Sequence, residues 1–161
     1  MDLQWGYVAD TVMGGVSQGS LSEEIVAGRQ AWRLRGSISL DNNGGFIQMA
    51  ADLPPRGGAL NASSFSGVAF EAIDVAAFEG LRRGETYNVH LRTADLTRPW
   101  QSYRQSFMAG AVWETHRIAF EDFEPHRASA PLDLSRLRRI GVLAIGRPFQ
   151  ADIAIADMRL V

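Results

Sequence analysis

Short apolar segments with a period of two, separated by glycine, proline, asparagine and aspartate, run through the whole chain. In residues 32–40, for example, Trp32, Leu34 and Ile38 alternate with polar side chains, which is typical of a half-buried strand. No stretch places apolar residues three and four apart over the length of a helix. About ten such segments at short spacing predict an all-β protein of antiparallel strands, a sandwich or a barrel.

One local prediction concerns the segment that follows this strand. Residues 41–45 read Asp-Asn-Asn-Gly-Gly, and Asn and Gly tolerate the left-handed backbone of a tight turn. Residues 46–53 are apolar again, so we predict a β-hairpin over residues 32–53. A second turn is expected at Ala27-Gly28, after a short strand over residues 21–26. Helical turns are expected only within residues 76–84 and 131–138.

Composition limits the class of protein. A chain of 161 residues with 46% hydrophobic and 21% charged residues fits one soluble domain, residues 1–161. The net charge of -2 gives no general attraction to nucleic acid or to an anionic membrane. No apolar run approaches the roughly 20 residues that span a bilayer. With no cysteine and no recognisable signal peptide, the expected location is the cytoplasm, without membrane insertion.

Residues 10–19 form the most unusual stretch of the chain. It holds Asp10, Met13 and Ser17 around the adjacent Gly14 and Gly15, which permits close backbone approach or a positive φ. Gly-Val-Ser-Gln-Gly has the spacing of a nucleophile elbow, but that motif needs a strand-turn-helix context that is not predicted here. A phosphate-binding P-loop needs a lysine, and all sixteen basic residues are arginine. The stretch is therefore either a tightly packed loop or part of a binding surface.

Other candidate sites are weaker. His90, His116 and His126 lie at no ligand-like spacing, so no metal site and no cofactor are predicted. The paired arginines are too few and too far apart to predict nucleic-acid binding. Trp100 and Tyr103 lie beside Arg98 and Arg104, where a sugar ring or an arginine-rich partner could stack, although aromatic residues on strands are more often core.

Two glycine-rich motifs carry a family resemblance. Residues 10–17, Asp-Thr-Val-Met-Gly-Gly-Val-Ser, and residues 36–46, which end in Asp-Asn-Asn-Gly-Gly-Phe, resemble the double signature of the complex I intermediate-associated protein 30 family. Later landmarks are similar too: Tyr87, Arg92, Tyr103, Phe107, Trp113 and residues 120–125. The resemblance implies a jelly-roll β-sandwich like that of galactose-binding domains. Mitochondrial members of the family assist the assembly of respiratory NADH:ubiquinone oxidoreductase.

The resemblance also implies a set of site residues. Those that match the motifs, together with polar residues of later strands, are expected to form one surface, and the aromatic pair adds a candidate sugar platform. The predicted binding residues are Asp10, Met13, Ser17, Asn43, Arg92, Trp100, Tyr103 and Gln105.

Three functions remain open at this stage. The first is a non-enzymatic protein-binding or assembly module whose partner is a subunit or intermediate of a respiratory complex. The second is a carbohydrate-binding module with a sugar ligand. The third is an enzyme. It ranks last because no nucleophile-base pair and no pair of catalytic carboxylates can be recognised in the sequence. A bound structural calcium ion is left open.

Overall fold

The computed structural model describes residues 3–161 apart from the side chain of Asn43, so the predicted site residue Asn43 lies outside the described side chains. Within this part of the chain eleven strands alternate with short turns. They are Gly6–Ala9 (β1), Gln18–Val26 (β2), Arg29–Ile38 (β3), Phe46–Asp52 (β4), Gly67–Asp74 (β5), Gly84–Thr93 (β6), Ser102–Gly110 (β7), Glu114–Ala119 (β8), Glu124–His126 (β9), Leu137–Ile145 (β10) and Phe149–Leu160 (β11).

The strands form two antiparallel sheets that pack face to face. One has six strands in the order β1-β4-β10-β6-β7-β9, and the other has five in the order β2-β3-β11-β5-β8. The inward-facing residues of both sheets make one apolar core that includes Leu34, Ile47, Phe70 and Val142. The prediction of an all-β sandwich of antiparallel strands is confirmed.

Helices are short. The α-helix Val75–Phe78 (α1) follows β5 and overlaps the predicted segment 76–84, and a 3-10 turn over Leu134–Arg136 precedes β10 within the predicted segment 131–138. No helix in residues 3–161 has the length and apolar character needed to cross a membrane.

The predicted hairpin over residues 32–53 is wrong. β3 pairs with β2 and β11, whereas β4 pairs with β1 and β10, so residues 39–45 carry the chain from one sheet to the other. Asn42 and Gly45 do have the positive φ values expected of turn residues, 56° and 140°. The turn that they form, however, leads from one sheet to the other and does not join two paired strands. Alternation identifies a strand and its buried face but does not identify the neighbouring strand.

A tight hairpin forms instead between β2 and β3. Its two-residue turn is Ala27-Gly28, as predicted, and both residues have a positive φ, 47° and 82°. Two consecutive positive φ values are typical of the type I′ turn, whose twist matches that of the flanking strands.

A buried carboxylate, Asp10, ties three segments together at the end of the sandwich. Its Oδ1 accepts a hydrogen bond from the backbone amide of Ser17 at 3.0 Å. Its Oδ2 accepts three more: one from the Ser17 hydroxyl at 2.5 Å, and two from the backbone amides of Gly45 and Phe46 at 2.6 and 3.2 Å. The same hydroxyl accepts the amide of Ser39 at 2.9 Å. The loop after β1 is thereby fixed against the crossing between β3 and β4.

The glycines of the two motifs make room for this carboxylate. A Cβ at Gly15 would overlap the side chain of Asp10, and a Cβ at Gly44 would overlap its Oδ2. Burial acts to raise the pKa of Asp10, but the hydrogen bonds from Ser17, Gly45 and Phe46 outweigh burial, so the pKa is lowered. The charged form is therefore the one that the fold stabilises.

We expect Asp10→Asn to lower the free energy of unfolding at pH 7 by about 2–4 kcal/mol, because an amide cannot accept all four hydrogen bonds and its NH₂ would face backbone donors. Urea denaturation measures the effect. Asp41→Asn is the matched control, since Asp41 is an exposed carboxylate of the same crossing. Equal stability losses for the two variants would contradict this account.

Candidate functional site

A groove lies on the outer face of the six-stranded sheet, on the side away from the core. It encloses about 620 Å³. Its floor is formed by outward-facing residues of the central strands, among them Gln48, His90 and Leu143, and its walls come from the loops around Met13 and Trp100. We call it the sheet groove.

Strand register arranges polar side chains in rows across this face. Arg139 on β10 pairs with Arg92 on β6, and Ser102 on β7 pairs with His126 on β9. Because Leu91 pairs with Tyr103, Arg92 comes next to Ser102 and the four residues form one row. At about 4.8 Å between strands, the row spans about 14 Å.

A second row lies one pleat further along the strands. It contains Gly141 on β10, His90 on β6 and Arg104 on β7. A Cβ at position 141 would overlap Oε1 of Gln48, so the glycine lets the Gln48 amide lie across β10 in the groove floor.

The rim carries exposed apolar side chains. Val12 and Met13, in the 3-10 turn Asp10–Met13, are 66% and 39% exposed. Trp100, in the loop between β6 and β7, is 42% exposed, and the guanidinium of Arg98 lies 5.8 Å from its ring centre. Exposed apolar side chains around a concave site are typical of surfaces that bind a ligand or a partner.

Arg92 connects the floor to this rim. Its Nη1 donates to the carbonyls of Arg98, Pro99 and Gln101 at 2.9, 3.2 and 2.7 Å, which fixes the loop that bears Trp100. Burial lowers the pKa of Arg92, and the nearby charges of Arg139 and Arg138 lower it further. Arg92 is therefore a structural anchor for the loop as well as a charge in the groove.

Unpaired polar atoms concentrate under the groove. Four buried side-chain atoms have no hydrogen-bond partner among the described residues, and three of them, His90 Nε2, Thr93 Oγ1 and Ser102 Oγ, belong to residues that line it. The fourth belongs to His116, whose ring stacks on Phe70 in the core. Folded proteins leave few such groups, so three of them beside one groove need an explanation, such as a bound water or ligand.

The structure brings some of the predicted site residues together and separates others. Met13, Arg92 and Trp100 all line the sheet groove, and their role in binding stays a prediction. Asp10 and Ser17 are buried in the loop contact described above. The expected single surface is therefore not formed.

Tyr103 and Gln105 lie away from the sheet groove. Tyr103 is fully buried, and its hydroxyl donates to the carbonyl of Ala130 at 2.7 Å, so its ring is not a platform for a sugar. Gln105, on the same side of β7, donates to the carbonyl of Asp122 at 2.6 Å. Both residues point towards the core side of the sheet because their positions alternate with Arg104.

Several groove residues could not be identified from the sequence, notably Gln48, Ser102, His126 and Arg139. The alternation of β6 does place His90 and Arg92 on one face, opposite Tyr87 and the core. Their neighbours on β10, β7 and β9 become known only once the strand order is known, because no sequence signal specifies that order.

In the described part of the chain, no three His, Asp or Glu side chains are grouped as metal ligands. His90 and His126 do approach each other through β6, β7 and β9, although 36 residues separate them in sequence. Arg104 lies between them in the sheet, and burial and nearby arginines lower the pKa of both rings.

His90 should make stability depend on pH. Burial, with the charges of Arg104 and His126, lowers its pKa from 6.5 to about 3. The folded state therefore resists protonation, and the stability present above pH 6.5 is lost as the pH falls towards 3. We expect wild-type protein to lose about 2 kcal/mol more than His90→Gln between pH 7.5 and pH 5 in urea denaturation.

The comparison uses the change with pH in each protein, so a general destabilisation by the substitution does not affect it. His116 and His126, whose pKa values burial also lowers, titrate in both proteins and cancel. If the free energy of unfolding of the two proteins changed equally with pH, protonation of His90 would not destabilise the folded state, and the prediction would be wrong.

Solved structures similar to this chain share its sandwich. A family 11 carbohydrate-binding module from Clostridium thermocellum in complex with a beta-1,3-1,4-mixed-linked tetrasaccharide has a TM-score of 0.75 at 14% identity, covering 98% of this chain and 88% of that chain. The family 11 module of a cellulosomal cellulase of the same organism gives 0.74 at 15% identity, covering 100% and 89%. A family 30 carbohydrate-binding module gives 0.62 at 12% identity, covering 89% and 73%.

The TM-scores establish the jelly-roll fold of the chain. At such low sequence identity they establish nothing about its function. A comparison with curated protein sequences gives no match. The family described as complex I intermediate-associated protein 30 matches residues 2–155, which is nearly the whole chain. The two glycine motifs, the Asp10 contact that explains them and this match agree, and the chain belongs to the complex I intermediate-associated protein 30 family.

Proposed function

We propose that this chain is a non-catalytic assembly module that holds a segment of a partner protein in the sheet groove. The observation that carries the proposal is a groove with an exposed apolar rim on the face of a rigid sheet. The family is named for association with an intermediate of complex I, which supports a subunit or intermediate of a respiratory complex as the partner. The predicted single-domain organisation and cytoplasmic location belong to the same proposal.

The rim is suited to a protein partner. Val12, Met13 and Trp100 project from two loops at the edge of the groove and stay exposed although a large core is available. An unbranched Met side chain adapts to irregular surfaces, and Trp is among the residues that contribute most to protein interfaces. An extended or turned segment that buries these three side chains would gain affinity from apolar contact.

The groove offers little support for an enzyme. Within the described residues no carboxylate lines it to pair with His90 or His126. Ser17, the serine with nucleophile-like spacing, is buried, and its hydroxyl donates a hydrogen bond to the carboxylate of Asp10. General acid–base catalysis needs groups whose pKa lies near the working pH, and burial takes His90 far below it.

A carbohydrate ligand is the second candidate. The ring of Trp100 is exposed at the groove, and sugar rings stack on such surfaces. The likeness to carbohydrate-binding modules adds a fold-level analogy. Tyr103 no longer supports this function, because its ring is buried in the core.

Site-specific photo-crosslinking in the native cell tests the protein-binding function. A photoreactive amino acid at Val12, on the groove rim, should give one dominant crosslinked protein. The same amino acid at Ile25 is the matched control, since Ile25 is 71% exposed on β2 of the other sheet. No product from Val12, or the same products from both positions, would contradict the proposal.

A glycan array separates the two candidates. Binding of a defined glycan by the wild-type protein that is lost in Trp100→Ala, together with no crosslinked protein from Val12, would favour the carbohydrate function. No glycan binding together with a Val12 product is the expected result.

A further inference from the structure

We infer that the partner segment held in the sheet groove is acidic, so that its carboxylates contact the arginines of the groove while its apolar side chains contact the rim. This inference rests on the proposed function and names the chemistry of the partner. The groove supports it in three ways: arginines line it, most of them have no carboxylate partner among the described residues, and two of them lie in a row with polar side chains.

The lining of the groove is basic although the whole chain is not. Arg92, Arg127, Arg138 and Arg139 line it, and no Asp or Glu does so within residues 3–161. The net charge of the chain is -2, so this face concentrates positive charge that other surfaces balance. Such a concentration in a concave site attracts anionic ligands and repels basic ones.

Most of this positive charge is not neutralised within the protein. Arg139 pairs with Asp52 through Nε and Oδ1 at 2.9 Å. For Arg92, Arg127 and Arg138, no carboxylate of the described residues lies within 4.0 Å. Arginines of the five-stranded sheet, such as Arg33 on β3 and Arg159 on β11, have carboxylate partners at 2.7–2.9 Å.

The floor supplies polar groups to accompany the charges. His90 is 9% exposed, and its Nε2 has no partner in the described structure; Ser102 and Thr93 beside it are in the same condition. Because the hydroxyls can donate and neutral His90 can donate from either ring nitrogen, the floor fits oxygen acceptors. Carboxylates that pair with guanidinium groups provide such acceptors.

The dimensions favour a peptide. Arg139, Arg92, Ser102 and His126 lie in a row of about 14 Å, the length of about four residues of extended chain. The groove of about 620 Å³ and its apolar rim at Met13 and Trp100 fit a short segment with mixed acidic and apolar side chains. A nucleic-acid strand would leave the apolar rim without a matching contact, apart from stacking on Trp100.

Fluorescence anisotropy with two labelled twelve-residue peptides tests the inference. One alternates Glu with Leu and Trp, and the other carries Gln in place of every Glu. At 50 mM NaCl the Glu peptide should bind the wild-type protein at least about tenfold more tightly than the Gln peptide, and 300 mM NaCl should weaken it, because ion pairs at a partly exposed site are screened.

Two double variants locate the binding. Arg127→Gln with Arg138→Gln removes two exposed, unneutralised charges of the groove and should weaken the Glu peptide about fivefold to tenfold. Arg83→Gln with Arg117→Gln is the matched control: both residues are exposed, neither lines the groove, and the net charge changes equally. This control should leave the affinity unchanged.

The outcomes separate the inference from the function on which it rests. Equal binding of the two peptides, or equal weakening by the two double variants, overturns the acidic partner, while a Val12 crosslink would leave the protein-binding function standing. If neither peptide binds, the inference of an acidic partner is wrong. If, in addition, the photoreactive amino acid at Val12 gives no crosslinked protein, the protein-binding function is wrong as well. Tighter binding of a twelve-nucleotide oligothymidylate than of the Glu peptide, lost in Arg127→Gln with Arg138→Gln, would assign the groove to nucleic acid instead.

Discussion

The geometry of the groove end depends on one buried carboxylate. Asp10 accepts hydrogen bonds from Ser17, Gly45 and Phe46 and thereby fixes the loop after β1 against the crossing between the two sheets. Met13 projects from that same loop onto the rim, so a buried polar contact determines where an exposed apolar side chain lies. The glycine pairs of the family motifs are explained by this contact, since a side chain at Gly15 or Gly44 would collide with Asp10. The motifs thus serve the fold through Asp10, and Val12 and Met13 of the first motif also lie on the rim of the sheet groove.

The sheet groove itself is a product of strand register. The same alternation that turns Tyr87, Leu91 and Tyr103 into the core turns His90, Arg92 and Arg104 to the outer face. Antiparallel pairing then brings Arg139 and His126 into the same row from distant parts of the chain. The result is a basic floor, without Asp or Glu among the described residues, beside an apolar rim, and some of its buried polar atoms have no partner within the described structure.

The sequence was sufficient for the fold class, for most strands and for the turn at Ala27-Gly28, because period-two patterning and turn residues act locally. It was misleading for residues 32–53, since Asn42 and Gly45 take the backbone angles of a turn while carrying the chain between layers. Of the predicted site residues, Met13, Arg92 and Trp100 line the sheet groove, and their role in binding stays a prediction. Tyr103 lies in the core instead, because an aromatic residue on an alternating strand fits core and surface patterns equally well. Gln48 and Ser102 had no signal of their own; their neighbours depend on non-local pairing.

The position of the last two strands has a consequence for biosynthesis. β10 lies between β4 and β6, and β11 lies between β3 and β5, so the C-terminal strands occupy the middle of both sheets. A nascent chain leaving the ribosome from its N-terminus has neither layer continuous until residues 137–160 have emerged. Until then β4 and β6 present unpaired edges on one side and β3 and β5 on the other. Both sheets are therefore completed late, after residues 137–160 have emerged, and the interval before that is when the chain most needs protection from aggregation.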